Sequence, residues 1–231
     1  LIMKARSKRY KESSKIVEQA KEYEVGEAVS IVKAFKKAKF DEAVDIVMKL
    51  GVDPKHSDQL VRGSFSLPKG IGKEVRVVVF ASGEDKIAMA REAGAVEAGG
   101  DDLLAKVEGG WMDFDVAIST PDMMGKVGKL GRVLGPQGKM PSPKSGTVTN
   151  DILNTVKEFK EGKIEYRTDA GGNVHVPVGK VSFPDEDLVE NINSFIRHIV
   201  GNRPPAAKGT FVQKISISSS MGPGVRIALA A

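Results

Sequence analysis

The sequence predicts an α+β discontinuous domain with an inserted α/β domain of Rossmann-like, three-layer type. Residues 40–50 alternate apolar and polar side chains, as a half-buried strand does, and one strand cannot pair its own backbone. Its partners are expected among the C-terminal strands. From Val75 a strand–helix–strand rhythm indicates a parallel sheet. We therefore assign residues 1–67 and 160–231 to a basic α+β domain, and residues 68–159 to the inserted domain.

The remaining elements follow from periodicity and from turn residues. Apolar spacing predicts helices over residues 10–22, 26–38, 84–94, 101–109, 149–160 and 185–200. Apolar runs and alternation predict strands over residues 40–50, 75–80, 114–119, 163–168, 173–178 and 211–220. Thr149 or Asn150 is a suitable N-cap for the fifth helix. Asp169-Ala170-Gly171-Gly172 predicts a hairpin between the strands on either side of it.

The charge of the chain is concentrated near its two ends. The net charge is +5 over 231 residues, and residues 1–21 hold seven Lys or Arg against two acids. No acid occurs after Glu190, whereas residues 97–115 are acidic. This distribution indicates one face that binds a polyanion, although it does not name the partner.

Several classes of function are disfavoured by what the sequence lacks. There is no cysteine, which excludes disulfides and thiol catalysis, and no apolar run approaches the roughly 20 residues that span a bilayer. We expect a cytoplasmic protein without membrane attachment. His56, His175 and His198 show no metal-binding spacing, so no metal and no cofactor are expected, although His175 on its strand remains a candidate to face a ligand.

A nucleotide-dependent enzyme is the alternative from another class. The turn after the strand at 75–80 reads Ala81-Ser82-Gly83-Glu84, which is not a phosphate-binding glycine loop, and no other phosphate loop is present. We therefore predict that the chain is not an enzyme. A third hypothesis is a general chaperone of single-stranded RNA. Such a protein needs aromatic surfaces on which bases stack, and only 6% of the residues are aromatic, which disfavours this hypothesis.

Two segments are candidate binding sites on residue type alone. The loop 135–147 holds three prolines and three glycines, and it either contacts phosphate or caps the small sheet. The second candidate joins Lys39-Phe40-Asp41-Glu42 to Ser218–Gly224, on the condition that the two strands share a sheet. It would offer lysines to phosphates, hydroxyls to riboses, and Phe40 and Met221 as apolar surface. The alternative is a core Phe, a solvated lysine face and a Ser/Gly turn.

Six segments also resemble a known family. They are SDQLVRG (57–63), LPKGIGK (67–73), GWMDFDVAISTPDMM (110–124), the loop 135–147, KGTF (208–211) and SSMGPGVRI (219–227). They occur in the same order as in the family of the bacterial large-subunit ribosomal protein L-one, the ribosomal stalk protein. The resemblance covers the chain from about Lys8 to Ile227.

This resemblance implies a specific function. Members of the family bind a helical junction of large-subunit ribosomal RNA and form a mobile stalk beside the tRNA exit site, where they assist release of deacylated tRNA. In bacteria they also repress translation of their own operon by binding its messenger RNA. The expected partners are therefore ribosomal RNA, the operon messenger RNA, exit-site tRNA and the rest of the large subunit, with a monomer off the ribosome.

The resemblance and the residue types together predict one RNA-binding set. It consists of Lys36, Lys39, Phe40, Glu42, Arg167, Ser219, Ser220, Met221, Gly222 and Pro223. Ser220 replaces the Thr of the family pattern. Gln137 stands where the family commonly has Arg, and Lys139 where it has an apolar residue, so a positive charge is kept in the loop. Ala170 replaces a frequent Lys, which weakens the case for an RNA contact by the predicted hairpin.

Overall fold

The computed structural model describes residues 6–18, 21–36 and 38–228. Its helices are α1 Lys8–Ser14, α2 Val25–Ala34, α3 Glu84–Glu92, α4 Asp101–Glu108, α5 Met124–Val127, α6 Gly131–Leu134, α7 Ile152–Glu161 and α8 Asp185–Gly201. Its strands are β1 Ala43–Leu50, β2 Arg62–Ser66, β3 Val77–Phe80, β4 Glu97–Gly99, β5 Val116–Ser119, β6 Lys163–Arg167, β7 Asn173–Lys180, β8 Val212–Ser219 and β9 Val225–Ile227. Short 3-10 turns occupy Pro121–Met123, Gly128–Leu130 and Pro143–Ser145. The result is a mixed α/β structure with several sheets.

The chain forms two compact units. One contains Leu1–Gly72 and Tyr166–Ala231, and the other contains Lys73–Glu165. The boundaries that the sequence suggested, after residues 67 and 159, lie a few residues earlier. No helix within the described ranges is long and apolar enough to cross a membrane.

The first unit is organised around β1. The sheet order is β7-β1-β8-β9, and β1 pairs antiparallel with both β7 and β8, which confirms that its partners come from the C-terminal part of the chain. Ile46 lies opposite Val176 on one side and Ile217 on the other. Every second side chain of β1, from Val44 to Leu50, is buried on the face that α2 and α8 cover. The intervening side chains of β1 are half-buried on the other face.

The predicted hairpin between residues 163–168 and 173–178 is wrong. β6 pairs with β2, and β7 pairs with β1 in a different sheet, so only an isolated Thr168–Val174 bridge joins the two segments. The turn itself exists, because the Asp169 carboxylate accepts the N–H groups of Gly171 at 2.8 Å and Asn173 at 2.7 Å. The turn residues therefore correctly predicted that the chain reverses direction. They did not predict the partner of β7, which pairs with β1 and not with β6.

Both N-terminal helices are shorter than predicted. Residues 19, 20 and 37, which the predicted helices included, lie outside the described residues. α1 ends at Ser14, and Tyr23 instead joins the sheet edge, where its N–H donates to Arg226 O at 3.0 Å and its carbonyl accepts from Ala228 N at 2.9 Å. α2 ends at Ala34 because Phe35 adopts an extended backbone with ψ of 148°.

The second unit contains a parallel sheet of order β4-β3-β5. The four residues of β3 are buried, and they alternate between two apolar clusters: Val77 and Val79 contribute to one, Val78 and Phe80 to the other. This arrangement explains the unbroken apolar run in the sequence, because a strand covered on both faces needs no polar side. α7 is capped by Asp151, whose side chain accepts from Asn154 N at 3.3 Å, and not by Thr149 or Asn150.

Candidate nucleic-acid interface

The segment before β1 and the end of β8 lie side by side. Antiparallel pairing places Val44 opposite Ser219. Just beyond that pair, Ser220 N donates to Ala43 O at 3.0 Å, and Ala43 N donates to the Ser220 hydroxyl at 3.1 Å. The condition under which residues 39–42 and 218–224 form one site, a shared sheet, is therefore met.

Glu42 joins these two segments through hydrogen bonds. It is only 6% exposed, and its carboxylate accepts hydrogen bonds from the backbone N–H of Ala38 at 2.9 Å and of Met221 at 3.0 Å. The guanidinium of Arg9 lies 3.9 Å from the same carboxylate. Burial alone would raise the pKa of Glu42. The hydrogen bonds from Ser219, Met221 and Ala38 and the charge of Arg9 outweigh burial, so the pKa is lowered and the group stays ionised.

Two large apolar side chains remain in solvent at this junction. Phe40 is 54% exposed and Met221 is 53% exposed, whereas most large apolar side chains of the unit are buried. Lys39 and Ser220 are exposed beside them, Gly222 is half-buried, and Ser219 and Pro223 are buried. Single exposed apolar residues are ordinary on protein surfaces, and Ile16 and Val200 of this unit are about as exposed, whereas two on adjoining segments form a candidate binding surface. We call Lys39, Phe40, Ser220 and Met221 the junction surface.

The other members of the predicted set have different positions. Glu42, Ser219 and Pro223 are buried, so their side chains support the junction surface from within. Lys36 is exposed, but its ammonium group forms an ion pair with Glu12 at 3.1 Å. Arg167 is exposed on β6, which belongs to the two-stranded sheet with β2 and not to the sheet that carries the junction surface.

Sequence reasoning named Ser218 and His175 separately but missed Lys49, Lys214 and Ser216, which lie on the same open face of the large sheet. On this face Lys49 lies opposite Lys214 of β8 and Asn173 of β7, and Val47 lies between Ser216 and His175. Lys49 Nζ donates to the carbonyl of Gly171. The alternation of β1 and β8 already assigned these residues to the face away from the core. Their polar and hydroxyl-rich character was the available signal, and the face carries the acidic Asp45 opposite Ser218 as well as the two lysines.

A small pocket opens beside Phe40. Its volume is about 100 Å³, and Phe35, Val181, Asp41 and Ser182 contribute to its lining. Asp41 is held in place because its carboxylate accepts from the Ser182 hydroxyl at 2.8 Å. Carboxylates at the pocket disfavour phosphate there, whereas amino groups of bases and ribose hydroxyls are compatible with them.

The loop 135–147 is built largely on contacts within its own unit. The ammonium group of Lys139 donates to Met112 O at 3.1 Å and lies 5.0 Å from the centre of the Phe114 ring. The Thr147 hydroxyl accepts from Ser142 N at 2.9 Å. Lys144 is exposed. These contacts favour the cap over the small sheet for most of the loop and leave Lys144 facing solvent.

The histidines are used for local structure in the described ranges. His198 Nε2 forms a hydrogen bond with the Tyr166 hydroxyl at 2.8 Å, and its ring lies 4.4 Å from that of Phe65. His175 Nε2 lies 3.2 Å from the Asp169 carboxylate. Across residues 6–18, 21–36 and 38–228, no group of three or more potential metal ligands is found.

Comparison with known proteins gives a match to one family. The model of a family described as the ribosomal protein L1p/L10e family matches residues 32–223, which is most of the chain and includes the whole junction surface. That family consists of large-subunit ribosomal proteins that bind ribosomal RNA, and it is not a family of enzymes. The chain belongs to the ribosomal protein L1p/L10e family.

Proposed function

We propose that the chain binds a helical junction of large-subunit ribosomal RNA through the junction surface and the adjoining open face of the large sheet. The observation that carries the proposal is the pair of Phe40 and Met221, both more than half exposed at a backbone junction that Glu42 holds in place. Folding alone does not require these side chains in solvent. Contact with sugars and base faces gives them a role.

The chemistry around this pair suits RNA. Lys39 and Lys214 are exposed cations that can contact phosphates, which position an RNA without reading its sequence. Phe40 offers a ring face for stacking, and stacking of a base on an aromatic ring contributes about 1–3 kcal/mol. Ser216 and Ser218 on the open face of β8 offer hydroxyls within reach of 2′-hydroxyl groups.

We further propose the finer role that the resemblance implies, for a protein of the bacterial type. On the cytoplasmic ribosome the chain forms the mobile stalk beside the tRNA exit site and assists release of deacylated tRNA. The basic domain, in this proposal, holds the ribosomal RNA, and the inserted Rossmann-like domain moves relative to it. Off the ribosome, the monomer represses its own operon by occupying a messenger RNA site that mimics the ribosomal junction.

The central test is footprinting on complete large-subunit ribosomal RNA. We expect protection confined to one helical junction, and protection that moves to the operon messenger RNA when ribosomal RNA is omitted. Scattered protection, or equal competition by unstructured RNA of the same length, would contradict the proposal and favour a general RNA chaperone. Calorimetric titration with ATP and NAD tests the enzyme alternative, for which micromolar binding would be required.

A further inference from the structure

The helix α1 carries a set of charges that the junction surface does not account for. Lys8 and Lys11 of α1 and Lys15, the C-cap residue with helical backbone, are exposed at spacings of three and four residues, which place them on one face about 5–6 Å apart. In the described ranges none of the three takes part in an ion pair or a side-chain hydrogen bond. Like charges at this spacing destabilise a helix, so the row has an energetic cost in the free protein.

Two contacts bring α1 to the junction surface. Arg9 lies 3.9 Å from Glu42, the residue that holds the junction together, and Glu12 pairs with Lys36 at 3.1 Å. Ser13 of α1 is buried, so the helix is also packed against the unit. The Glu12–Lys36 pair is exposed and contributes little free energy, so the buried Ser13 and the contact of Arg9 with the buried Glu42 are what place the helix here. Because Glu12 forms its ion pair with Lys36, it does not pair with the three lysines on its own helix.

A pocket separates α1 from the chain that follows Met221. Its volume is about 240 Å³, and its lining is mostly polar. Tyr10 and Ser14 of the helix and Val17 and Glu18 after it line one side, and Pro223, Gly224 and Arg226 line the other. The Arg226 side chain is exposed and has no ion pair or hydrogen bond among the described residues. The pocket therefore adjoins the junction surface along the chain, and its charged lining consists of Glu18 on one side and Arg226 on the other.

We propose that α1 and this pocket form a second contact for the RNA that the junction surface binds. Lys8, Lys11 and Lys15 contact successive phosphates of the RNA backbone, and Arg226 contacts a phosphate at the mouth of the pocket. The inference rests on the proposed function, because the RNA reaches this pocket by passing over Met221. RNA is favoured over a protein partner because the row is purely cationic and the adjoining surface is the RNA site.

The salt dependence of binding tests this contact. The probe is a transcript of the ribosomal junction found by footprinting, and the full chain is titrated between 50 and 500 mM salt. Each lost phosphate contact lowers the slope of log K against log salt by about 0.7–0.9. We expect the triple variant Lys8→Gln, Lys11→Gln, Lys15→Gln to lower the slope by about two to three, and Arg226→Gln by about one. Gln has nearly the helix propensity of Lys, so α1 is preserved.

A matched control removes the same charge elsewhere in the unit. Lys55, Arg197 and Lys208 are exposed and lie outside α1 and its pocket, and their triple change to Gln should leave the slope nearly unchanged. Equal slopes for the α1 variant and this control would overturn the second contact. If Phe40→Ala weakens binding in that case, the proposed function stands without it. If Phe40→Ala and Met221→Ala also bind as wild type does, the proposed function fails and the inference fails with it.

Discussion

The carboxylate of Glu42 accepts the backbone N–H of Met221 at 3.0 Å, across 179 residues of sequence. The same carboxylate accepts Ala38 N at 2.9 Å, so one buried side chain joins the segment before β1 to the segment after β8. Each segment presents one exposed apolar side chain, Phe40 or Met221. Glu42 therefore contributes to binding through the backbone that it holds, without an exposed surface of its own.

Replacing Glu42 by Gln should weaken this junction. Gln keeps one acceptor oxygen but turns an NH₂ group toward the second backbone N–H, leaving a buried donor unpaired, which costs about 1–3 kcal/mol. We expect Glu42→Gln to lower the free energy of unfolding by that amount in urea, and to reduce affinity for the junction RNA. Glu27→Gln, an exposed change on α2, is the control and should do neither. A variant with full stability would show that Glu42 is not the link.

The contribution of Glu42 to stability should disappear in acid. Burial raises its pKa, but the hydrogen bonds from Ser219, Met221 and Ala38 prevail and lower it below the ordinary value of 4.5. A carboxyl whose pKa is lower in the folded state stabilises the protein above its unfolded pKa and loses that effect as pH falls through the folded pKa. The difference in unfolding free energy between wild type and Glu42→Gln should be constant above about pH 6 and shrink below about pH 4. A difference that grows on acidification would contradict this assignment.

The pairing of β1 with β7 and β8 was predictable from two features. The alternation of apolar and polar residues from Val44 to Leu50 is that of a half-buried strand, which must pair with others, and the C-terminal strands show the same alternation. The false hairpin at Asp169 arose because turn residues specify a change of direction but not which strand a segment pairs with. The three-residue strands β4 and β9 were missed because each is too short to show a period.

The candidate site was predictable to the level of its segments. Phe40 and Met221 were identified from residue type, the expected sheet and the resemblance to a family. The roles within the site were not predictable, because Glu42 resembles any surface glutamate until its burial and its two backbone donors are known. The position of Arg9 beside Glu42 depends on the packing of α1, which has no signature in local sequence.

Substitutions of the exposed apolar residues of the junction surface should weaken RNA binding with little change in stability. Phe40 and Met221 are more than half exposed, so Phe40→Ala and Met221→Ala should change the free energy of unfolding by no more than about 0.5 kcal/mol. Each should weaken binding of the junction RNA by about 1–3 kcal/mol, through lost stacking and apolar contact. Met89, 49% exposed on α3, supplies the control change Met89→Ala, which should affect neither. Calorimetry of binding and urea unfolding give the two numbers.

The position of Gly222 should not tolerate even the single methyl group that a change to Ala adds. A Cβ at this position would lie 2.5 Å from the Ser219 hydroxyl and 2.8 Å from the ring of Phe35, which is buried and cannot move freely. Gly222→Ala should therefore destabilise the unit by about 1–3 kcal/mol and displace Met221, with a loss of RNA affinity. For stability Gly224→Ala is the matched control, since a Cβ there meets nothing within 4 Å. Equal stability of the two variants would show that the turn relaxes at no cost.

Asn191 should stabilise the segment before Gly72, where the chain leaves the first unit. It is fully buried on α8, donates to Gly70 O at 3.1 Å and Val178 O at 2.8 Å, and accepts from Lys69 N at 3.1 Å. Asn191→Ala removes these partners together and should cost about 2–3 kcal/mol of unfolding free energy.

The same change should speed hydrogen exchange at the Lys69 amide, because that donor loses its only side-chain acceptor in the described structure. Asn193→Ala, on the same helix but without a side-chain hydrogen bond among the described residues, separates this effect from helix propensity. Exchange at Lys69 that is equally slow in both variants would mean that α8 does not hold the crossing segment. Faster exchange in Asn191→Ala alone would show that it does.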